Sequence, residues 1–99
     1  NAMFLPAVVG FNASVASVQK EKRLERMAHA MGLGSGDDIA QAITDMNARL
    51  GLPDGLAAMG VQTASFDKII QGALADHCHK TNPRIAMADD YQALLEQSM

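Results

Sequence analysis

Apolar residues recur at helical spacing along most of this chain, and they predict a series of amphipathic helices. In the clearest case they stand at positions i, i+4, i+7 and i+11 of one helix face: Ile39, Ile43, Met46 and Leu50. Ser35 lies just before this pattern and can cap the helix, because its hydroxyl can accept a backbone N–H. Gly51 and Pro53 end the helix, since proline cannot continue it.

Three further stretches of the chain also predict helices. A helix from about Ala16 to Met31 would carry an apolar face formed by Leu24, Met27, Ala28 and Met31. The next apolar stripe consists of Phe66, Ile69, Ile70, Ala73 and Leu74. We expect this stripe to pack against the face formed by Ile39, Ile43 and Met46. A last helix, from Ala88 to Gln97, would turn Tyr91, Leu94 and Leu95 inward.

The segment from Phe4 to Phe11 is short and almost wholly apolar. Pro6 suits the first turn of a helix, where its missing N–H costs nothing. Because the segment has almost no polar face, it must be buried against another surface. We expect self-association through residues 4–11 if that surface is absent, since exposed apolar patches drive association.

Composition favours an all-α fold and excludes several classes of function. No run of alternating β-branched residues indicates a strand. The net charge of −3 argues against a nucleic-acid partner, which usually requires a basic patch. No apolar run approaches the roughly 20 residues needed to cross a bilayer, so no membrane partner is expected. Cys78 is the single cysteine, which rules out an internal disulfide and fits a reducing, cytoplasmic location.

The polar segment from Asp76 to Arg84 contains the only cluster of side chains that commonly bind metals. His77, Cys78 and His79 are adjacent there, and neighbours on a helix point about 100° apart. A structural metal site usually needs four ligands, so we predict no metal site in this chain. Cys78 would need a nearby base and an orienting group to act as a nucleophile. We therefore predict no catalytic residue and no cofactor-binding residue.

Four motifs, taken in their order along the chain, resemble the C-terminal region of the iron-containing (group III) alcohol dehydrogenases. They are Leu5-Pro6 with Phe11-Asn12, Gly51-Leu52-Pro53, Met59-Gly60-Val61, and Asp76-His77-Cys78 with Asn82-Pro83-Arg84. Each motif is weak alone, and the order makes the combination specific. The resemblance implies that residues 4–99 are a C-terminal all-helical domain fragment, the multi-helix end of a dehydroquinate synthase-like helical domain. Residues 1–3 are interpreted as the remnant of an expression tag.

The resemblance also implies an activity for a longer parent enzyme. That enzyme would transfer a hydride between an alcohol or aldehyde and NAD(P), with Fe²⁺ or Zn²⁺ held by one Asp and three His. These ligands and the glycine-rich cofactor loop would lie upstream of Phe4. The fragment would thus hold no cofactor, would be inactive alone, and would have the remainder of the parent enzyme as its partner. Cys78 would line the edge of the cleft between the two domains without taking part in the chemistry.

Two alternatives stay open at this point. A stand-alone helical protein-interaction module is supported by the lack of a complete site and by the apolar segment from Phe4 to Phe11. The tail of a maleylacetate reductase is similar in architecture. The Asp76-His77-Cys78 sequence leans toward the alcohol dehydrogenases.

Overall fold

The computed structural model describes residues 1–99 and contains no β-strand, so the predicted all-α fold is confirmed. Six α-helices follow one another: α1 (Leu5–Asn12), α2 (Ala16–Lys20), α3 (Arg23–Ala30), α4 (Ile39–Arg49), α5 (Phe66–Ala75) and α6 (Ala88–Gln97). Short 3-10 turns lie at Gly36–Asp38, Ala57–Met59, Thr63–Ser65 and His77–Thr81. None of the helices has the length and apolar character that crossing a membrane requires.

The single helix predicted from Ala16 to Met31 is wrong, because the chain breaks between α2 and α3. Lys22 adopts a left-handed conformation there, with φ of 50°. In one continuous helix, Val18 and Leu24 would point about 120° apart. The break allows Val18 to be buried while Leu24 packs on the core beside Ala28. A continuous helix could not turn both Val18 and Leu24 toward the core, so the chain forms two shorter helices.

The start of α4 follows the prediction from the sequence. The Ser35 hydroxyl accepts a hydrogen bond from the Asp37 N–H at 3.2 Å, so serine caps the 3-10 turn that leads into the helix. The Gly36 N–H donates to a Glu25 carboxylate oxygen at 2.8 Å. Gly36 is buried against Leu24 with no room for a Cβ atom. This close contact joins α3 to the beginning of α4.

The core consists of two separate clusters. One contains Ala28, Ile39 and Ile43. The other contains Leu56, Phe66, Ile70 and Leu95. The expected packing of the Phe66 stripe against the α4 face is therefore wrong: α5 packs mainly on α6, and Met46 is 40% exposed. The inward orientation of Leu94 and Leu95 is confirmed.

Helix α1 lies between the two clusters and contacts both α4 and α6. Phe4, just before it, packs on the cluster of Phe66, and Val9 packs on the cluster of Ile39. No residue of α1 is fully buried, and Leu5 is 45% exposed. The apolar character of this helix thus has an explanation within the chain, because two of its sides meet the core.

Candidate functional site

An open groove of about 610 Å³ lies between α1, α5, α6 and the His77–Thr81 turn. Its walls are largely apolar and include Val8, Phe11, Ile69, Ala73 and Leu94. Its polar lining comes from the segment with the predicted chemistry and from α6: Asp76, Cys78, His79, Asn82 and Tyr91. A concave apolar surface with a few converging polar groups is the usual form of a small-molecule site.

Asp76 organises the turn that carries the thiol. Its Oδ1 atom accepts the Cys78 backbone N–H at 2.7 Å, and this bond is the largest cause of the lowered pKa of Asp76. The hydroxyl of Thr81 donates to the Cys78 carbonyl at 2.8 Å. These two bonds close the backbone of the turn around the exposed Cys78.

The pKa of the Cys78 thiol is raised. The side-chain hydrogen bond with Asp76 is the largest cause, and burial and the negative charge of Asp76 add to it. The thiol therefore keeps its proton more firmly than an ordinary cysteine. Only the thiolate is a strong nucleophile and metal ligand, so the Asp76 carboxylate disfavours both roles. That Cys78 does no chemistry stays a prediction.

The structure brings three potential metal ligands together and separates the fourth. The Asp76, His77 and Cys78 donor atoms lie within 4.8 Å of one another, and all three residues are exposed. Cys78 Sγ is 3.4 Å from His77 Nε2, and the His77 side chain is 92% exposed. His79 points to another partner. The cluster thus offers three exposed groups, one of which is a thiol of raised pKa.

His79 forms a hydrogen bond with Tyr91 across the groove. The distance from His79 Nδ1 to the Tyr91 hydroxyl is 2.9 Å, and the two rings are tilted with centroids 5.8 Å apart. Burial raises the pKa of Tyr91, and the negative charge of Asp76 adds to the effect. From the sequence, Tyr91 was expected only to turn inward with Leu94 and Leu95. A hydroxyl that faces inward on a helix needs a hydrogen-bond partner. The phenol of Tyr91 was therefore the one sign in the sequence of this contact.

A second polar cluster holds the other end of the turn. Asn82 exchanges two hydrogen bonds with Asn12 at the end of α1, at 2.9 and 2.8 Å. The Arg84 guanidinium lies 4.0 Å from the centre of the Phe11 ring and 3.1 Å from Asp90. Arg84 therefore pairs with an acidic side chain in the first turn of α6. The contact between the Phe11-Asn12 and Asn82-Pro83-Arg84 motifs was not predicted, because the order of residues along the chain does not show which distant residues meet.

The family model described as "Fe-containing alcohol dehydrogenase family, C-terminal" matches residues 1–99. The chain belongs to the iron-containing alcohol dehydrogenase family. The resemblance drawn from the four motifs is thereby confirmed, and the matched part is the C-terminal part of such a protein. The helical architecture agrees with this assignment.

The chain is 57% identical, over its full length, to a 4-hydroxybutyrate dehydrogenase of Cupriavidus necator and covers 26% of that protein. It is 35% identical to the 1-propanol dehydrogenase PduQ of Salmonella typhimurium, with 98% of the chain and 29% of the relative covered. An NAD-dependent methanol dehydrogenase of Bacillus methanolicus is 24% identical, with all of the chain and 27% of the relative covered. The chain thus spans about a quarter of the length of these relatives. No solved structure matches it.

Family membership leaves the role of Cys78 as a prediction. Cys78 lines a groove within this chain, whereas the predicted cleft would lie between this domain and another.

Proposed function

We propose that this chain is the C-terminal helical part of an NAD(P)-linked, metal-dependent dehydrogenase that oxidises a short hydroxy acid of the 4-hydroxybutyrate type to the aldehyde acid. The observation that carries the proposal is the 57% identity to a 4-hydroxybutyrate dehydrogenase across the whole chain. The other relatives described above are alcohol dehydrogenases with 24% and 35% identity. In the reaction, the carbinol carbon gives a hydride to NAD(P)⁺ and the hydroxyl gives a proton to solvent.

The residues of this chain do not fit the metal that the proposal requires. The resemblance implies one Asp and three His as ligands, whereas the cluster here joins Asp76 and His77 to a thiol of raised pKa. Nor do they fit a nicotinamide loop, because such a loop joins a strand to a helix and this chain has no strand. We therefore assign both groups to the parent enzyme and derive no chemical step through them here.

The proposed role of this chain is structural support and one wall of a binding cleft. Helix α1 is fixed between the two core clusters, and the groove beside it presents Cys78 and His79. We propose that Cys78 lies at the edge of the parent's interdomain cleft, and that the fragment alone is inactive. The remainder of the parent enzyme is the proposed partner, and the single free thiol supports a cytoplasmic location.

Self-association of the isolated chain through residues 4–11 is part of the same proposal. Leu5 is 45% exposed in this segment although its neighbours contact the core. Analytical ultracentrifugation of the 99-residue chain tests the proposal. We expect association that weakens in Leu5→Lys and persists in Leu50→Lys, because Leu50, just after α4, is also exposed. A monomer at all concentrations would contradict it.

The choice of substrate is tested with the full-length parent enzyme, 4-hydroxybutyrate and 1-butanol, each with NAD⁺ and NADP⁺. The two alcohols have the same carbon chain, so their comparison isolates the carboxylate. We expect kcat/KM to be at least about tenfold higher for 4-hydroxybutyrate, the scale of one well-made polar contact. Equal values, or a preference for 1-butanol, would contradict a hydroxy acid substrate. Turnover of maleylacetate instead would favour a maleylacetate reductase.

A further inference from the structure

Two segments that lie 70 residues apart in sequence are joined by a pair of amide side chains. Asn12 Nδ2 donates to Asn82 Oδ1 at 2.9 Å, and Asn82 Nδ2 donates to Asn12 Oδ1 at 2.8 Å. Asn82 Nδ2 also donates to the Arg84 carbonyl. Each amide needs both a donor and an acceptor for this exchange. The pair therefore depends on asparagine chemistry at both positions, and both residues are partly buried.

Arg84 strengthens the same junction from its other side. Its guanidinium stands 4.0 Å from the centre of the Phe11 ring, next to Asn12 in α1. It also forms an ion pair with Asp90 in the first turn of α6, at 3.1 Å. A guanidinium can stack on an aromatic face and pair with a carboxylate at the same time. Arg84 thus connects the ends of two helices to the turn.

The turn needs such contacts because it has no apolar anchor of its own. No residue from Asp76 to Ile85 is buried. Its shape therefore depends on hydrogen bonds: Asp76 and Thr81 close the backbone around Cys78, and His79 reaches Tyr91. The Asn12–Asn82 pair and the contact of Arg84 with Phe11 tie this turn to α1.

The position of this junction gives it a functional consequence. The open groove is lined by Phe11 on α1 and by Cys78 and Asn82 in the turn. The contacts between these two segments therefore set the distance between α1 and the turn that carries Cys78. Helix α1 provides a fixed reference, because it is packed between the two core clusters. A substitution that removes these contacts would move the turn that carries Cys78 relative to α1.

We propose that Asn12, Asn82 and Arg84 are positioning residues, which hold the Cys78 turn against α1 and thereby fix the shape of the groove for the ligand of the parent dehydrogenase. This inference rests on the proposed function. It assigns the Phe11-Asn12 and Asn82-Pro83-Arg84 motifs a joint role. None of the three residues is expected to act on the reacting atoms.

The test is a double-mutant cycle in the full-length parent enzyme, with Asn12→Ala, Asn82→Ala and the double variant. Asn47→Ala is the control, because it removes the same kind of side chain from α4, away from the turn. Hydrogen exchange of residues 77–84 and the separate values of KM and kcat are measured. If Asn82→Ala does not fold, Asn82→Leu keeps a side chain of similar size and removes its donors and its acceptor without adding a charge.

Each single variant should speed exchange in residues 77–84 and raise KM by up to about tenfold, the scale of one hydrogen bond, with little change in kcat. The double variant should resemble the worse single variant, because the two side chains act as one pair. Asn47→Ala should leave exchange in residues 77–84 and KM unchanged. Unchanged exchange in both single variants, strictly additive effects, or faster exchange with an unchanged KM would overturn the inference. The unmodified parent enzyme distinguishes the two proposals. If it does not oxidise 4-hydroxybutyrate, the proposed function is contradicted, while the hydrogen exchange of residues 77–84 still tests the positioning role.

Discussion

The Asp76 carboxylate and the Cys78 thiol share one exposed turn, and each shifts the pKa of the other. The hydrogen bonds from Cys78 lower the pKa of Asp76, whereas the carboxylate raises the pKa of the thiol. The thiol is therefore the protonated partner over a wider pH range than a free cysteine. Exposure without activation is the combination expected for a residue that lines a cleft and does no chemistry.

Replacing Asp76 by Asn should make Cys78 more reactive. The asparagine Oδ1 can still accept the Cys78 N–H, so the turn keeps its cap, while the negative charge is lost. With that charge gone, the pKa of the thiol falls and the thiolate fraction at a given pH rises. The rate of alkylation by iodoacetamide, measured against pH, should shift to lower pH. Asp67→Asn, an exposed charge on α5, serves as the control. An unshifted profile in Asp76→Asn would contradict the assigned cause.

Replacing Cys78 by Ser in the parent enzyme should preserve the chemistry. A residue that only lines the cleft contributes to binding, so the substitution should raise KM for cofactor or substrate and leave kcat within a few-fold. Steady-state kinetics on the full-length enzyme give both values. A fall in kcat of more than about a hundredfold, the scale of a lost general acid or base, would show that Cys78 takes part in catalysis.

At the scale of elements, the sequence predicts helices well where one face alone is buried. The α4 pattern, its Ser35 cap and the inward face of α6 follow from periodicity and capping chemistry. The stretch before α4 fails because Val18 is buried while Leu24 packs on the core beside Ala28, and the break at Lys22 lets both do so. Periodicity cannot locate such a break, since neither half violates helical spacing.

Ile43 should be a stability determinant of α4, and Met46 should not. Ile43 is 5% exposed in the cluster with Ala28 and Ile39, whereas Met46 on the same helix is 40% exposed. Ile43→Ala should lower the free energy of unfolding by about 2–5 kcal/mol through lost burial and the cavity left behind. Met46→Ala should cost about 1 kcal/mol or less. Denaturant unfolding measures both, and equal losses would contradict the packing described.

Gly55 should tolerate no side chain. A Cβ atom there would meet the Met99 carbonyl oxygen and lie 2.8 Å from the Ser98 carbonyl oxygen. Both atoms belong to the backbone that accepts hydrogen bonds from Leu56 and Ala57, at 2.8 and 3.1 Å. Gly55→Ala should thus destabilise the protein by about 1–3 kcal/mol.

The control for this substitution is Gly10→Ala. A Cβ atom at Gly10 has nothing within 4 Å, and the residue lies inside α1. Alanine in a helix interior is favoured over glycine by about 0.5–1 kcal/mol, so Gly10→Ala should raise the melting temperature. Thermal unfolding of both variants provides the comparison. A neutral Gly55→Ala would show that the C-terminal residues do not pack on Gly55.

At the scale of the whole molecule, α1 determines what the sequence could and could not indicate. Its uniform apolar character predicted burial, and the structure covers it only in part by placing it between α4 and α6. With α1 in this position, the Phe66 stripe does not pack on the α4 face. The apolar pattern of one helix does not show which other helix it will contact. The candidate site was located at Cys78 through motif resemblance. Its partners Tyr91 and Asn12 lie 12 and 70 residues from His79 and Asn82, and only the fold brings them together.

We propose that this chain supports a dehydrogenase and does not itself carry out the reaction. The most direct measurement compares NAD(P)H formation by the full-length parent enzyme and by the 99-residue chain, with 4-hydroxybutyrate and with or without added Fe²⁺ or Zn²⁺. We expect metal-dependent turnover by the parent enzyme and none by the chain above a reaction without protein. Turnover by the isolated chain, or undiminished turnover by a metal-depleted parent enzyme, would contradict it.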